Sequence, residues 1–176
     1  MRKIMNIAML CMTVMIMAAC SAKKKTSSIP YVDYSSGFQG LDDTIEVPFS
    51  RQGGVKYVSV KVNGLSTDMI FDTGCSQTLL SLHEAQQLAA RGLLSREDYM
   101  GKSKSVIADG SIVEDAMYSL RTLEIIGGSE PIICRDVVVQ VSSNTDAPVL
   151  LGNGVLDRVA SYTIDNEEDV IRFKLK

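Results

Sequence analysis

The 176-residue sequence has little histidine, no excess of basic charge and no apolar run long enough to span a bilayer comfortably. A single histidine, His83, excludes metal sites built from several imidazoles. The formal net charge is −3 and the sequence pI is about 5.2, and no basic stripe with interleaved aromatic residues is present. We therefore expect neither a metal cofactor nor a nucleic-acid partner.

The first twenty residues have the features of a targeting segment. Residues 2 and 3 are basic, residues 4–17 are apolar, and the segment ends in Met-Ala-Ala-Cys20, which resembles the lipobox of bacterial lipoproteins. We predict a signal peptide over residues 1–19 and lipidation of Cys20; a plain secretory signal cut near Ala19 is the alternative. By resemblance to envelope lipoproteins, with no Asp after Cys20, we expect a lipid anchor in the outer membrane of the bacterial cell envelope, facing the periplasm.

The remaining chain divides into a tether and one domain. Residues 20–44 are rich in Ser, Lys, Gly and Asp and show no periodicity, which predicts a flexible tether. Residues 45–176 are predicted to form the folded domain, which contains Cys75 and Cys134. In an oxidising compartment these two thiols can pair. The position of Cys75 beside a special acid favours two separate thiols, free or buried.

Hydrophobic periodicity predicts a mostly β domain. Residues 55–62 alternate strictly, Asn63-Gly64 is a strong hairpin signal, and residues 67–72 follow as the second strand. Further strands are predicted near residues 45–49, 105–113 (a hairpin around Asp109-Gly110), 117–126, 134–141, 162–164 and 170–175. Ser81 and Glu84 form a capping box for a helix with an apolar stripe up to Ala89 and a stop at Gly92, and a short helix follows residue 152. These elements favour a small barrel or sandwich with one longer and one short helix.

The chemistry is concentrated between Met69 and Leu80. An apolar strand ends in Asp72, and Thr73 and Gly74 follow at once. A carboxylate at the end of a buried strand is costly unless it is hydrogen-bonded or shares a proton. The residues alone are compatible with an ordinary strand-end turn or with an acid held for chemistry. An apolar run ending in glycine, Leu150-Leu151-Gly152, lies about seventy residues later.

With these motifs, roughly residues 55–175 closely resemble the retroviral-type (retropepsin-like) aspartic peptidases, in particular their single-domain bacterial relatives. The resemblance implies a small, closed-barrel-like acid protease fold and a peptide or protein substrate. It makes Asp72 catalytic and gives Thr73 the role of locking two active-site loops together. It also implies three groups of site residues: an active-site loop of Thr73, Gly74, Cys75 and Ser76; a mobile substrate-covering hairpin with its tip at Ala108, Asp109 and Gly110; and Leu150, Leu151 and Gly152 packed behind the loop.

The chain contains one Asp-Thr-Gly and no Asp-Ser-Gly. Aspartic peptidases use two carboxyls that share one proton. We therefore predict a homodimer in which one site is built from two Asp72 residues. The alternating strand at residues 170–175 is a candidate for a dimer sheet, and the alternative is that it closes the barrel of its own chain.

The sequence departs from the family pattern at Cys75, where Ala or Ser is usual, at Asn153-Gly154, and at a hairpin tip without a double glycine. Two other functions remain open. One is a cysteine hydrolase in which Cys75 uses His83 as its base. The other is a non-catalytic binding or structural envelope lipoprotein that retains the acid protease fold.

Overall fold

The computed structural model describes residues 44–106 and 109–176. The predicted signal peptide, Cys20 and the tether up to residue 43 lie outside the described residues, and so does Ala108 of the predicted hairpin tip. Within the two described ranges, none of the helices has both the length and the apolar character needed to cross a membrane.

The part of the chain that the structure describes contains ten strands and two α-helices. The strands are β1 (Thr44–Gln52), β2 (Val55–Val62), β3 (Leu65–Phe71), β4 (Thr78–Leu80), β5 (Tyr99–Val106), β6 (Ile112–Ile125), β7 (Ile132–Val141), β8 (Leu150–Leu151), β9 (Ser161–Asp165) and β10 (Val170–Lys174). The helices are α1 (Leu82–Ala90) and α2 (Asn153–Leu156), and a 3₁₀ turn covers Arg96–Asp98. The predicted composition, mostly β with one longer and one short helix, is confirmed.

Six of the strands close into a barrel. β2 pairs with β3, β3 with β8, β8 with β4, β4 with β7, β7 with β6, and β6 returns to β2. The β3–β8 and β4–β7 pairs are parallel, whereas the other four are antiparallel. The barrel interior is apolar: Val58, Met69, Leu80, Leu120 and Val139 are completely buried. Closure satisfies the strand edges and supplies the core that supports the site.

The Asn63-Gly64 turn forms as predicted. Both residues have positive φ, +47° at Asn63 and +88° at Gly64, and Val62 pairs directly with Leu65. A two-residue loop with positive φ at both positions matches the right-handed twist of the strands that it joins. This turn sets the register of β3, and β3 carries Asp72 to its position.

Helix α1 begins and ends at the predicted residues. The Ser81 hydroxyl accepts a hydrogen bond from the Glu84 backbone N–H (3.3 Å) and also bonds the Glu84 carboxylate. Gly92 has a φ of +66°, and its N–H donates to Ala89 (3.0 Å), which ends the helix in a left-handed turn. The apolar stripe is narrower than expected because Ala89 is exposed, whereas Leu88 is completely buried.

The C-terminal strand β10 lies inside a sheet of its own chain. Residues 44–48 of β1 pair with one edge of β10, and β9 pairs with the other. Both hydrogen-bonding edges of β10 are therefore used, so the prediction of a dimer sheet built on residues 170–175 is wrong. The alternative, that this strand closes the barrel of its own chain, holds only in part: β10 pairs within its own chain but is not one of the six barrel strands.

The β5–β6 hairpin is longer than the sequence indicated. β6 runs without a break over 14 residues, where two separate strands were predicted. The polar pair Glu114-Asp115 looks like an interruption in the sequence. In the structure, Glu114 binds Lys102 across the hairpin (2.7 Å) and Asp115 lies opposite Ser103, so cross-strand pairing carries the strand through.

Candidate active site

Asp72 lies at the end of β3, where the chain leaves the barrel wall. Its backbone N–H donates to the carbonyl oxygen of Leu151 (3.1 Å), so the contact of β3 with β8 extends one residue beyond the strand. The preceding side chain, Phe71, packs edge-on against Tyr162, with ring centroids 5.3 Å apart. The backbone that carries the carboxyl is therefore held by a hydrogen bond and by an aromatic contact.

Gly74 fixes the direction of the Asp72 carboxyl. The Gly74 N–H donates to Oδ1 of Asp72 at 2.8 Å. A Cβ added at Gly74 would lie 3.2 Å from that same oxygen, so glycine gives the backbone this close approach without crowding. Asp72 is half-buried and Gly74 is exposed. The carboxyl is thus oriented and still open to solvent, as a general base acting on water must be.

The run Leu150-Leu151-Gly152 lies directly behind this turn. Leu150 and Leu151 pair in parallel with the last two residues of β3. At Gly152, a Cβ would lie 2.2 Å from the carbonyl oxygen of Gln77 and 2.8 Å from that of Cys75. The φ of Gly152 is −98°, so glycine is required here for space and not for its backbone conformation. Two backbone segments touch at this residue, and any side chain would separate them.

Asn153 is a site residue that sequence reasoning missed. Its backbone N–H donates to the carbonyl oxygen of Cys75 (2.9 Å), and its side-chain Nδ2 donates to the carbonyl oxygen of Thr73 (2.9 Å). The next residue, Gly154, donates its N–H to Ser76 (3.1 Å). The start of α2 therefore holds the active-site loop by three hydrogen bonds. The sequence signal for this role was the position of Asn153 directly after Leu150-Leu151-Gly152, the run expected to pack behind the loop.

Thr73 and Thr78 have different environments. Thr73 is exposed, and within the described ranges its hydroxyl makes no hydrogen bond. Thr78 is completely buried, and its Oγ1 accepts the N–H of Gly152 (3.3 Å). Through this bond, Thr78 on β4 is connected to Gly152 within the same chain. The predicted role of Thr73, locking two active-site loops together, stays a prediction.

Cys75 does not have the surroundings of a nucleophile. Its thiol donates to the carbonyl oxygen of Gln77 (2.9 Å), and His83 is exposed in the first turn of α1. Burial raises the pKa of the Cys75 thiol, the Gln77 backbone opposes this, and the nearby Asp72 charge raises it further. A thiol nucleophile needs the opposite shift. Cys75 is also not part of a disulfide, so it does not pair with Cys134, which is buried.

The predicted substrate-covering hairpin is the β5–β6 hairpin. Gly110 has a φ of +84°, and Oδ1 of Asp109 accepts the Ser111 N–H (2.8 Å), which forms a tight turn. Hydrogen bonds from Ser111 lower the pKa of Asp109. Val106 and Ile112 pair across the hairpin beside this turn and are 73% and 70% exposed. An exposed apolar pair at this position is suited to contact with another molecule.

A cavity of about 710 Å³ lies between α1 and the stem of the hairpin. Its wall includes Leu82, Leu94, Tyr99 and Tyr118, and none of the residues of the Asp72 loop borders it. No cluster of three or more His, Cys, Asp or Glu residues that could hold a metal ion occurs within residues 44–106 and 109–176. The cavity and the oriented carboxyl are therefore separate features of the fold.

A closed barrel with an Asp-Thr-Gly turn at the end of a wall strand, supported by an apolar strand and a short helix, defines the acid protease class. A family model described as "gag-polyprotein putative aspartyl protease" matches residues 58–158, and the chain belongs to this family. Among solved structures, the chain is similar to a retropepsin-like aspartic protease from Rickettsia conorii, with 22% sequence identity and a TM-score of 0.53. That match covers 75% of this chain and 90% of the other. No curated protein matches. The predicted retropepsin-like fold is confirmed.

Proposed function

We propose that the chain is an aspartic endopeptidase whose active site forms from two copies, each contributing Asp72. The observation that carries this proposal is the fixed Asp72 carboxyl, which accepts the Gly74 N–H at 2.8 Å and is held against β8. In the described part of the chain, no hydrogen bond or ion pair joins Asp72 to another carboxyl. A pair of carboxyls sharing a proton therefore needs a second chain.

In the proposed dimer the two carboxyls share one proton, because like charges about 3 Å apart cannot both ionise. The ionised carboxylate accepts a proton from a water molecule as the water oxygen attacks the carbonyl carbon of the peptide bond. The protonated carboxyl donates its proton to the carbonyl oxygen, which gives a neutral tetrahedral intermediate. Collapse of this intermediate transfers a proton to the leaving nitrogen and breaks the carbon–nitrogen bond.

Two features of the single chain support assembly into a homodimer. Thr73 and Gly74 are exposed, although Asn153 and Leu151 hold the same loop firmly from within the chain. The Thr73 hydroxyl is available to a second copy of the loop. We infer that the exposed side of this loop faces its counterpart across a two-fold axis, which brings the two Asp72 carboxyls together.

We also propose that the protein acts while anchored by lipid at Cys20 to the bacterial cell envelope, on the periplasmic face of the outer membrane. The basis is the lipobox-like sequence before Cys20 and the 24-residue separation from Cys20 to the start of β1 at Thr44. An extended tether of that length reaches up to about 80 Å, so two anchored copies have room to meet. Incorporation of a labelled fatty acid that disappears in Cys20→Ala tests the anchor; unchanged labelling contradicts it.

The activity is tested by digestion of an unbiased peptide library with the full-length protein in detergent, from acidic to neutral pH. We expect cleavage by the wild type and by Cys75→Ala, and none by Asp72→Asn. Continued cleavage by Asp72→Asn contradicts the aspartic mechanism, and loss in Cys75→Ala alone favours the cysteine hydrolase. If the folded wild type cleaves nothing, a non-catalytic function is supported.

The shared site is tested by mixing wild type with Asp72→Asn in equal amounts and allowing subunits to exchange. Because a mixed dimer has one intact carboxyl, only about one quarter of the dimers remain active, and the specific activity falls to about one quarter of the wild-type value. Independent monomers would retain about one half. Dilution of the wild type should also lower its specific activity.

A further inference from the structure

Among the described residues, the strand order ends in two edge strands, β5 and β9, each of which pairs with a single neighbour. The outer edge of such a strand presents backbone N–H and C=O groups that no other strand uses, so it can pair with another chain. Natural proteins protect free edges with lysine, with proline or with a bulge. The residues of β5 and β9 therefore indicate which edge is protected and which is open to a partner.

The edge of β5 is protected. This strand carries two lysines, Lys102 and Lys104, and both are exposed. A bulge interrupts its register between Tyr99 and Gly101, and Gly101 has a φ of +112°. Lysines and a bulge both work against the addition of a further strand. We therefore do not expect β5 to pair with a second copy of itself.

The edge of β9 has none of these protections. Its five residues, Ser-Tyr-Thr-Ile-Asp over Ser161–Asp165, include no lysine and no proline, and they pair with β10 without a register shift. Tyr, Thr and Ile are among the residues that favour strands. The one charged residue, Asp165, lies at the end of the strand, and its carboxylate is bound by Arg172 at 2.8 Å. The middle of β9 is thus a regular and uncharged edge.

Strand β9 also borders the strand end that carries Asp72. The Tyr162 ring lies 5.3 Å from the Phe71 ring and 6.0 Å from the Phe173 ring, measured between centroids. Phe71 is the last residue of β3 and directly precedes Asp72. This aromatic contact couples the position of β9 to the position of the Asp72 loop. A chain that pairs with the outer edge of β9 therefore binds close to that loop.

We propose that β9 pairs antiparallel with β9 of a second copy, so that one continuous sheet joins the two chains. The inference rests on the proposed function, because a second copy is the partner that a site with two Asp72 carboxyls needs. A two-fold axis perpendicular to the sheet relates two antiparallel copies of one strand. The same axis relates the two Asp72 loops, so the β9 interface holds the two halves of the site in place.

The register that uses all five residues of β9 is centred on Thr163. Thr163 then faces its own copy, and Tyr162 faces Ile164 of the partner subunit. An aromatic side chain opposite a β-branched one is a favourable cross-strand pair. Ser161 faces Asp165 of the partner subunit, so the two Asp165 carboxylates do not oppose each other. About four or more backbone hydrogen bonds join the two strands in this register.

The interface is tested by placing charge on the axis. Thr163 is exposed, so Thr163→Lys and Thr163→Glu leave the buried core unchanged. Sedimentation velocity of the full-length protein in detergent measures the dimer Kd. Because like charges directly opposite each other repel, we expect each variant alone to raise this Kd by about tenfold or more. An equal mixture of the two variants should dimerise as well as the wild type, since opposite charges then face each other.

Ser161→Lys is the matched control, because Ser161 is also exposed on β9 but faces Asp165 of the partner subunit. It should dimerise at least as well as the wild type. Three results overturn the proposal: a wild type that forms no dimer, a dimer Kd that Thr163→Lys and Thr163→Glu leave unchanged, or a mixture that stays as weak as either variant alone. Equal weakening by Ser161→Lys and Thr163→Lys also overturns it, because a general intolerance of lysine in β9 would explain both.

Disulfide cross-linking separates this proposal from the proposed catalysis. Thr163→Cys and Ser161→Cys are each made in full-length Asp72→Asn/Cys75→Ala and oxidised mildly. Opposed Cα atoms in an antiparallel pair lie about 4.5–5.5 Å apart, which a disulfide can bridge. The two copies of position 161 lie four residues apart along the strands, about 14 Å, which a disulfide cannot bridge.

We expect a linked dimer from Thr163→Cys and little or none from Ser161→Cys. That result supports the interface even if the wild type cleaves no peptide, in which case the proposed peptidase function alone fails. No link in Thr163→Cys, or equal linking of both variants, overturns the interface even if the wild type cleaves peptides.

Discussion

Gly152→Ala tests the support of the active-site loop most directly. A Cβ at this position would lie 2.2 Å from the Gln77 oxygen, 2.7 Å from the Gln77 carbonyl carbon and 2.8 Å from the Cys75 oxygen. All three atoms belong to backbone, so no side-chain rotation can relieve the contact. Overpacking that moves backbone costs about 3 kcal/mol or more. At roughly 4 °C per kcal/mol, we expect the unfolding temperature to fall by about 12 °C.

The same displacement should lower activity. Separation of Gly152 from Gln77 strains the bonds from Asn153 to Cys75 and from Asp72 to Leu151. The assays are thermal unfolding followed by circular dichroism and cleavage of the library peptide. Gly154→Ala is the matched control, because its Cβ would lie 3.1 Å from a side-chain atom, Oε1 of Gln77, which side-chain rotation can move away, and the position is helical. We expect it to stay within about 1 kcal/mol of wild type.

A Gly152→Ala protein that unfolds within a few degrees of wild type and cleaves normally would refute this reasoning. It would mean that the loop and α2 are not in direct contact. Destabilisation of Gly154→Ala by as much as Gly152→Ala would also refute it, because a general intolerance of alanine in this segment would then explain both results.

Three further outcomes are expected. Asn153→Ala removes the hydrogen bond to the Thr73 carbonyl oxygen. We expect kcat to fall about fivefold, which corresponds to a loss of about 1 kcal/mol, with little change in unfolding temperature. A normal kcat would show that this bond does not position the loop. Alkylation of Cys75, measured by mass spectrometry, should be slow at pH 7 because burial raises its pKa, and fast alkylation contradicts the assigned environment. The pKa of Asp165 is lowered mainly by the Arg172 guanidinium and then by backbone N–H groups. This pair therefore contributes fully to folding stability above about pH 4, and its contribution is lost as the pH falls further. Urea unfolding of Arg172→Ala should therefore show a weaker loss of stability on acidification than wild type, and parallel pH profiles would contradict the pairing.

Local signals predicted the parts of this fold that depend on neighbouring residues. Alternation and the Asn63-Gly64 turn predicted β2 and β3, and Ser81 and Gly92 predicted both ends of α1. The Asp-Thr-Gly triplet predicted the turn that directly follows β3. Each of these features is determined within a few residues by backbone sterics or by a side-chain cap, so a single sequence contains enough information.

Pairing between strands that are far apart in the sequence could not be predicted from such local signals. The parallel pair of β3 with β8 joins residues about eighty positions apart, and nothing in the two-residue strand Leu150–Leu151 specifies its partner. Whether the hydrogen-bonding edges of β10 are occupied depends on where the distant strand β1 enters the sheet. Residues near β10 in the sequence therefore could not show that the dimer-sheet prediction was wrong.

The structure separates what supports the active site from what completes it. The support is internal, because Leu151, Gly152 and Asn153 hold the Asp72 loop by backbone contacts within one chain. What the proposed chemistry still requires is a second carboxyl, and the exposed Thr73 lies on the side left open for it. Stability and activity should therefore respond differently to substitution. A change at Gly152 should lower both, whereas a change at Thr73 that weakens assembly should lower activity and leave the unfolding temperature of the dilute protein unchanged.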